Sequence, residues 1–255
     1  MLKIKKAIVK DKFHIDTLQQ QFKGKNAFVS GDLFRFYQQS EPNIKHTTVN
    51  WRIYHLVEQG VLSRVGRGKF VLGEGRIFLP ENSSKTKRLY KQLHGHFPFL
   101  KICIWNTSIL NEFMLHQTGR YFTLIETEKD ANESVFYFLQ ENNYPAFLNP
   151  SSDIINRYAG GKKESFLVRP LTTEAPTQVI QGVETVTLEK MLVDIFCDEN
   201  IFASQQGSEM SHIFEEAFKK YSLNENRMLR YADRKNKKEG FNTYLTKVLK
   251  FSQRL

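Results

Sequence analysis

The sequence predicts a mixed α/β fold in two parts. Residues 1–80 form a basic helical unit closed by a β-hairpin, and residues 84–255 form an α/β domain with a central sheet and a helical tail. Three observations carry this prediction. SRVGRGKFVLG (Ser63–Gly73) sets two glycines around an arginine between β-prone runs, the pattern of a tight hairpin. Strand-like and helix-like segments alternate from Lys101 to Leu171, as in an α/β layer. From Thr187 to the end the apolar residues follow helical spacing.

The bulk properties fit two soluble domains. A chain of 255 residues with 40% hydrophobic and 25% charged side chains is globular and suits two domains better than one. No apolar run approaches the roughly 18 residues needed to span a bilayer. MLKIKKAIVK is basic but has no apolar stretch behind it, so it does not read as a secretory signal, and a cytoplasmic location without a membrane partner is expected. Cys103 and Cys197 stand singly in apolar company and read as free thiols rather than a disulfide. The net charge is +10, and residues 1–80 hold 14 Lys and Arg against 6 Asp and Glu, a balance of +8. The remainder carries +2, so the first part is expected to touch a polyanion and the second is not. A merely soluble basic surface is the alternative.

The elements of the first part follow from local patterns. DKFHIDTLQQQF (Asp11–Phe22) predicts a helix that packs Phe13, Leu18 and Phe22. VSGDLFRFYQQ predicts a second, capped by Ser30, with Leu33, Phe34 and Tyr37 inward. Pro42 and Asn43 keep it from fusing with the next helix. HTTVNWRIYHLVEQG puts Val49, Ile53, Leu56 and Val57 on one stripe, with Thr47 as N-cap and Gly60 as the C′ residue. At about 100° per residue, Thr47, Thr48, Trp51, Tyr54, His55 and Glu58 fall opposite that stripe. Two placements are open for Trp51: on this exposed face, or packed on the first helix or the second domain. His55 is either a contact or a solvated histidine. Arg64, Arg67 and Lys69 sit at or near the hairpin tip.

The order helix, helix, turn, helix, hairpin over Asp11–Gly75 resembles a winged helix-turn-helix DNA-binding domain. HLVEQGVLSRVGRGKFVL is similar to that family's recognition-helix end, strand, wing and second wing strand. The resemblance implies a recognition helix in the major groove of double-stranded DNA, with Thr47, Thr48, Trp51, Arg52 and His55 in reach of bases or backbone. Arg64, Arg67 and Lys69 would then serve mainly as phosphate contacts, with Arg67 at the wing tip aimed at a phosphate or into the minor groove. Winged helices also serve as protein-interaction modules; the concentrated positive charge favours DNA.

In the second part, Ser83–Arg88 is a polar, basic join that opens a short helix through Leu93. KICIWN, RYFTLIETE, YPAFLN and ESFLVRPL read as strands. Between them TSILNEFMLHQ, with Ile109, Leu110, Phe113 and Met114 inward, DANESVFYFLQEN and SDIINRYA read as helices. VIQGVETV reads as one more strand, and TLEKMLVDIFCDE starts the helical tail. Glu189, Lys190 and Asp194 read as surface pairs worth a few tenths of a kcal/mol.

A search for chemistry gives no catalytic residues, no metal site and no cofactor. AGGKKES (Ala159–Ser165) does not match the phosphate-loop pattern GxxxxGK[ST] and reads as a loop before a strand. His94 and His96 lack a third ligand. No serine sits in a nucleophile elbow, and neither cysteine has a histidine partner. A metal-dependent nuclease needs an acid and then acid-x-Lys on a strand. Asp233-Arg234-Lys235 lies instead in a charged helical stretch, and Glu126, Glu128 and Lys129 at a strand end have the wrong spacing.

VETVTLEKMLVDIFCDE (Val183–Glu199) and NRMLRYADRKNKKEGFNTYLTKVL (Asn226–Leu249) resemble the C-terminal region of antitoxins of AbiE-type abortive-infection (type IV) toxin–antitoxin systems. The stretch Thr187–Asp194 is the sharpest piece, and Leu229–Ala232 supports it. In that family a basic winged helix precedes an α/β antitoxin domain. The resemblance implies a non-enzymatic protein that binds operator DNA at inverted repeats and represses its own promoter. It also implies that the protein counteracts a nucleotidyltransferase toxin encoded alongside, with direct contact left open. A transcriptional regulator without a toxin partner and a DNA-targeted nuclease are the alternatives.

Overall fold

The computed structural model describes residues 13–25, 27–58, 60–73, 78–155, 157, 164–221 and 223–252. The basic segment 1–12, including the start of the first expected helix, and residues 159–163 of the AGGKKES loop lie outside them. The protein is mixed α/β and divides into two compact units. One comprises Met1–Ile77 with Phe218–Asn224, the other Phe78–Ala217 with Glu225–Leu255.

The first unit contains α1 (Ile15–Phe22), β1 (Phe28–Val29), α2 (Ser30–Ser40), α3 (His46–Glu58), β2 (Leu62–Gly66) and β3 (Lys69–Leu72). The left-handed backbone of His14, φ 49°, precedes α1, and Tyr37 Oη donates to the Phe13 carbonyl at 2.8 Å. Leu18, Phe22, Leu33, Phe36, Tyr37, Val49, Ile53, Leu56, Val61, Leu62 and Phe70 form one core with Phe13 and Phe28. In α2 it is Phe36, not Phe34, that is buried beside Leu33 and Tyr37, at the i, i+3, i+4 spacing of one helix face. Phe34 is half-buried and stacks on His46, with ring centroids 3.7 Å apart. α3 starts at His46, and the Lys45 carbonyl accepts from the Thr48 and Val49 amides, so Thr47 lies in the first turn and is not the cap. Gly60 ends α3 as expected: its φ is 71°, its amide reaches the Val57 carbonyl, and the Val61 amide reaches that of Leu56.

The hairpin closes in a two-residue turn, Arg67-Gly68, with Gly66 opposite Lys69 and a bulge between Arg64 and Gly66. β1 adds to the far side of β3, giving the antiparallel order β1-β3-β2. Ser30 does not cap α2 with its side chain. Its amide and hydroxyl both donate to the Gly68 carbonyl, at 3.1 and 3.4 Å, and so tie the start of α2 to the turn. Asp32 instead receives the Val29 amide at 2.8 Å.

The second unit is built in three layers. It contains α4 (Ser84–His96), β4 (Ile102–Asn106), β5 (Phe122–Thr127), α5 (Asn132–Glu141), β6 (Ala146–Leu148), β7 (Ser165–Pro170), β8 (Thr177–Ile180), β9 (Val183–Val186) and α6 (Leu188–Cys197). α7 (Ser208–Lys220), of which Ser208–Ala217 belong to this unit, α8 (Glu225–Arg234) and α9 (Lys238–Ser252) follow. The sheet order is β4-β5-β7-β6, antiparallel between β4 and β5 and parallel elsewhere. Ile102, Ile104, Ile125, Phe166 and Val168 point to one face, where Leu89 and Leu93 of α4 and Val135 and Leu139 of α5 cover them. Strand alternation sends Trp105, Glu126 and Arg169 to the other face, where α6 lies.

Three elements differ from expectation. VIQGVETV is not one strand: Gln181-Gly182, with φ 54° and 80°, turn the chain into the β8–β9 hairpin. TSILNEFMLHQ gives only a 3₁₀ turn, Thr107–Glu112, with Leu110 and Phe113 buried. α6 is not a tail: Leu188–Ile195 are all buried, so the helix is interior on every side. Cys103 is buried and Cys197 half-buried, and both are free.

The Gly68 turn generates a test. Gly68→Ala places a Cβ at φ 66°, strained by about 1–2 kcal/mol, whereas Asn tolerates that region better. Denaturant titration followed by circular dichroism should show the first unit losing stability in the order Gly, Asn, Ala. Equal midpoints for all three would contradict this turn.

Candidate functional site

The stripe of Val49, Ile53 and Leu56 is buried, and that fixes which side of α3 faces outward. Thr47, Trp51 and Tyr54 are exposed, and Thr48 and His55 are half-buried beside them. Trp51 takes both of its expected roles in part. It stacks on Phe13 with centroids 5.7 Å apart and leans on His55 at 4.2 Å, yet remains 44% exposed. Tyr54 extends this aromatic ridge, 5.4 Å from His55. The ridge presents ring faces and edges rather than a wholly hydrated helix surface. On the hairpin of the same unit, Arg64, Arg67 and Lys69 are all exposed, with the Arg64 guanidinium over the Phe70 ring at 5.6 Å.

Arg52 does not belong with them. Expected within reach of DNA, it is 5% exposed, with Nη2 2.8 Å from Glu41 Oε1 and its guanidinium over the Tyr37 ring at 4.6 Å. The reason is geometric: three residues on from Val49 is about 60° from the stripe, close enough to be drawn in. Arg52 therefore braces α3 against the residues that end α2.

The second unit contains a constellation that the sequence pattern hides. Lys190 of α6 is fully buried and donates to Glu126 Oε2 of β5 at 2.6 Å and to Asp194 one turn on. Arg169 of β7, opposite Glu126 in the parallel register, donates to Glu126 Oε1 at 2.9 Å and to Asp198 at 2.8 Å. Lys235, just beyond α8, bonds Asp194 at 2.9 Å and Asp198 at 2.7 Å. Tyr231 Oη donates to Asp194 at 2.8 Å, and Trp105 Nε1 to Glu126 at 3.2 Å. The reading of Lys190 and Asp194 as surface pairs is thus overturned: both side chains are wholly buried. Lys235, placed by sequence in a merely charged helical stretch, closes the cluster from the other side.

Three carboxylates meet three cations, and the charges balance. Burial favours neutral Asp194, but Lys190, Lys235 and Arg169 outweigh it and hold the carboxyl well below the usual carboxylate range. Burial likewise pulls the Lys190 ammonium down, and Asp194 and Glu126 reverse that, leaving it well above the ordinary lysine value. The Tyr231 phenol is pushed up by burial and by Asp194. Groups held so firmly in their charged forms are poor proton-transfer agents near neutral pH. What the cluster does is join β5, β7, α6 and the end of α8. Among the described residues no group of three His, Cys, Asp or Glu side chains is placed to hold a metal ion.

The chain belongs to DUF6577. This is a family of unknown function, and its match covers residues 48–250. The DUF6577 match begins in the first turn of α3 and takes in the hairpin, the sheet and every residue of the ionic cluster. No curated protein matches the chain.

Removing one partner of a buried ion pair strands the other, at a cost of about 3–5 kcal/mol. Asp194→Asn and Lys190→Met should each lower the stability of the second unit by that amount in denaturant titration. The pH dependence has a defined sign. Asp194 has a depressed folded pKa, so its contribution is present above the unfolded value of about 4 and is lost as the pH falls. Lys190 has a raised one, so its contribution is full below about 10.4 and is lost as the pH rises past that. Stability should form a plateau between these limits, and Asp194→Asn should flatten the acid limb. An acid limb unchanged in the variant would contradict the pairing.

Proposed function

We propose that this protein is a DNA-binding antitoxin and transcriptional autorepressor of a type IV toxin–antitoxin system. The first unit acts as a winged helix-turn-helix, with α3 as recognition helix and the β2–β3 hairpin as wing. One observation carries the DNA-binding part. Three exposed cations on a tight hairpin and an outward aromatic and hydroxyl face on α3 belong to one small basic unit. Phosphates attract Arg64, Arg67 and Lys69 without regard to sequence, and this positions the helix. Thr47, Thr48, Trp51 and His55 are then the side chains offered to base edges and to the thymine methyl group. Arg52 acts behind them by holding α3 in place.

The antitoxin part rests on the resemblance of Val183–Glu199 and Asn226–Leu249. Thr187 caps α6 through the Lys190 amide, and Lys190 and Asp194 build the ionic cluster. These are architectural roles, so the shared pattern supports a shared domain rather than a shared catalytic site. A non-enzymatic domain that acts on a nucleotidyltransferase toxin is consistent with it.

Two experiments separate the parts. Arg67→Ala should weaken binding to operator and random duplexes by a similar factor. Thr48→Ala or His55→Ala should cost about 1–3 kcal/mol more on the operator. Equal losses on both duplexes for all three variants would mean that α3 does not read bases. In cells expressing an adjacent-gene nucleotidyltransferase toxin, the full chain should restore colony formation, and Arg67→Ala should keep that protection while losing promoter repression. Failure of the soluble wild-type protein to protect would remove the antitoxin role and leave the regulator.

A further inference from the structure

The near-neutral balance of the second unit conceals a segregated charge. α4 carries four cations, Lys85, Lys87, Arg88 and Lys91, and no acid. Its start is fixed by Ser83, whose hydroxyl accepts from the Thr86 amide at 3.0 Å. Thr86, Leu89 and Leu93 are buried and turn one side of the helix to the core. The opposite side holds Ser84, Arg88, Lys91 and Gly95, all exposed, with Lys87 half-exposed at its edge. Neighbouring cations are matched: Lys85 pairs with Glu164, and Lys101 with Glu184 at 3.5 Å. Among the described residues no carboxylate is within ion-pair distance of Lys87, Arg88 or Lys91.

Lys87, Arg88 and Lys91 lie within about two turns of α4 and repel one another, with no acid on the helix to offset them. An external polyanion relieves that repulsion. Successive turns along the face lie about 5 to 6 Å apart, a spacing that offers several cations to one closely charged backbone.

We propose that the Lys87, Arg88 and Lys91 face of α4 is a second contact for the phosphate backbone of duplex DNA, additional to the wing and resting on the DNA-binding reading above. This face carries no apolar side chain to bury in an acyl layer, which a surface-bound membrane helix requires. Contacts from these cations to phosphates are independent of sequence, so a random duplex is a sufficient probe. On this proposal both parts of the chain meet polyanion.

The test uses the full chain and a labelled random-sequence duplex, titrated by fluorescence anisotropy between about 50 and 200 mM salt. Wild type should give a steep negative slope of log K against log[salt]. The Lys87→Gln, Arg88→Gln, Lys91→Gln triple variant should have a slope shallower by roughly 2 to 3, at about 0.9 for each phosphate that the variant leaves unneutralised. Lys87→Arg with Lys91→Arg, which keeps the charge, should retain the wild-type slope. A steep wild-type slope left unchanged by the triple variant overturns this inference and leaves the wing reading intact. A wild-type slope near zero removes both. Loss of binding to phosphatidylserine vesicles in the triple variant, with duplex binding unchanged, assigns the face to a membrane and also overturns it.

Discussion

The buried ammonium of Lys190 is the group around which the second unit is arranged. An unpaired charge in that position would be prohibitive, so the fold must bring carboxylates to it from two directions. Asp194 comes from the same helix, one turn away, and Glu126 from the adjacent strand. Those two acids then need further cations, which Arg169 and Lys235 supply, and Asp198 completes the balance. Tyr231 and Trp105 fill remaining acceptor positions. A neutral apolar core of similar shape could be as stable; what the ionic cluster adds is a demand that β5, β7, α6 and the end of α8 meet in one register.

This requirement explains the composition of α6. LEKMLVDIFC is buried through eight consecutive residues, and Lys190 and Asp194, whose side chains are wholly buried, have no route to water and function as parts of the network. It also explains why the three-layer order is definite: alternation along β5 places Ile125 under α5 and Glu126 under α6. The first unit uses a smaller version of the same device, with Arg52 held between Glu41 and Tyr37 at the joint of α2 and α3.

Local pattern made much of the architecture legible. The Val49–Ile53–Leu56 stripe, the Gly60 stop, the Arg67-Gly68 turn and the four sheet strands all follow from residues close in sequence. The ionic cluster did not, because its partners are far apart: Lys190 and Glu126 are separated by 64 positions, Arg169 and Glu126 by 43, and Lys235 and Asp194 by 41. Its local signals are a charge two residues after a leucine on a strand, Glu126 after Leu124 and Arg169 after Leu167, and the i, i+4 pair Lys190–Asp194 within an apolar helix. Arg52 was misplaced for a related reason. Residue type suggested a DNA contact, while its angle from Val49 placed it at the buried edge. The exposed candidates on α3 and the hairpin are those for which type and angle agree.

In the proposed function, α3 and the hairpin together form the surface that meets DNA. Hydrogen–deuterium exchange of the full chain, with and without saturating duplex, tests this most directly. Protection should appear in the N-terminal half of α3 and at the Arg64–Lys69 turn, while the buried amides of α6 exchange at an unchanged rate. Protection confined to other segments, with the α3 and hairpin amides unaffected by DNA, would contradict it.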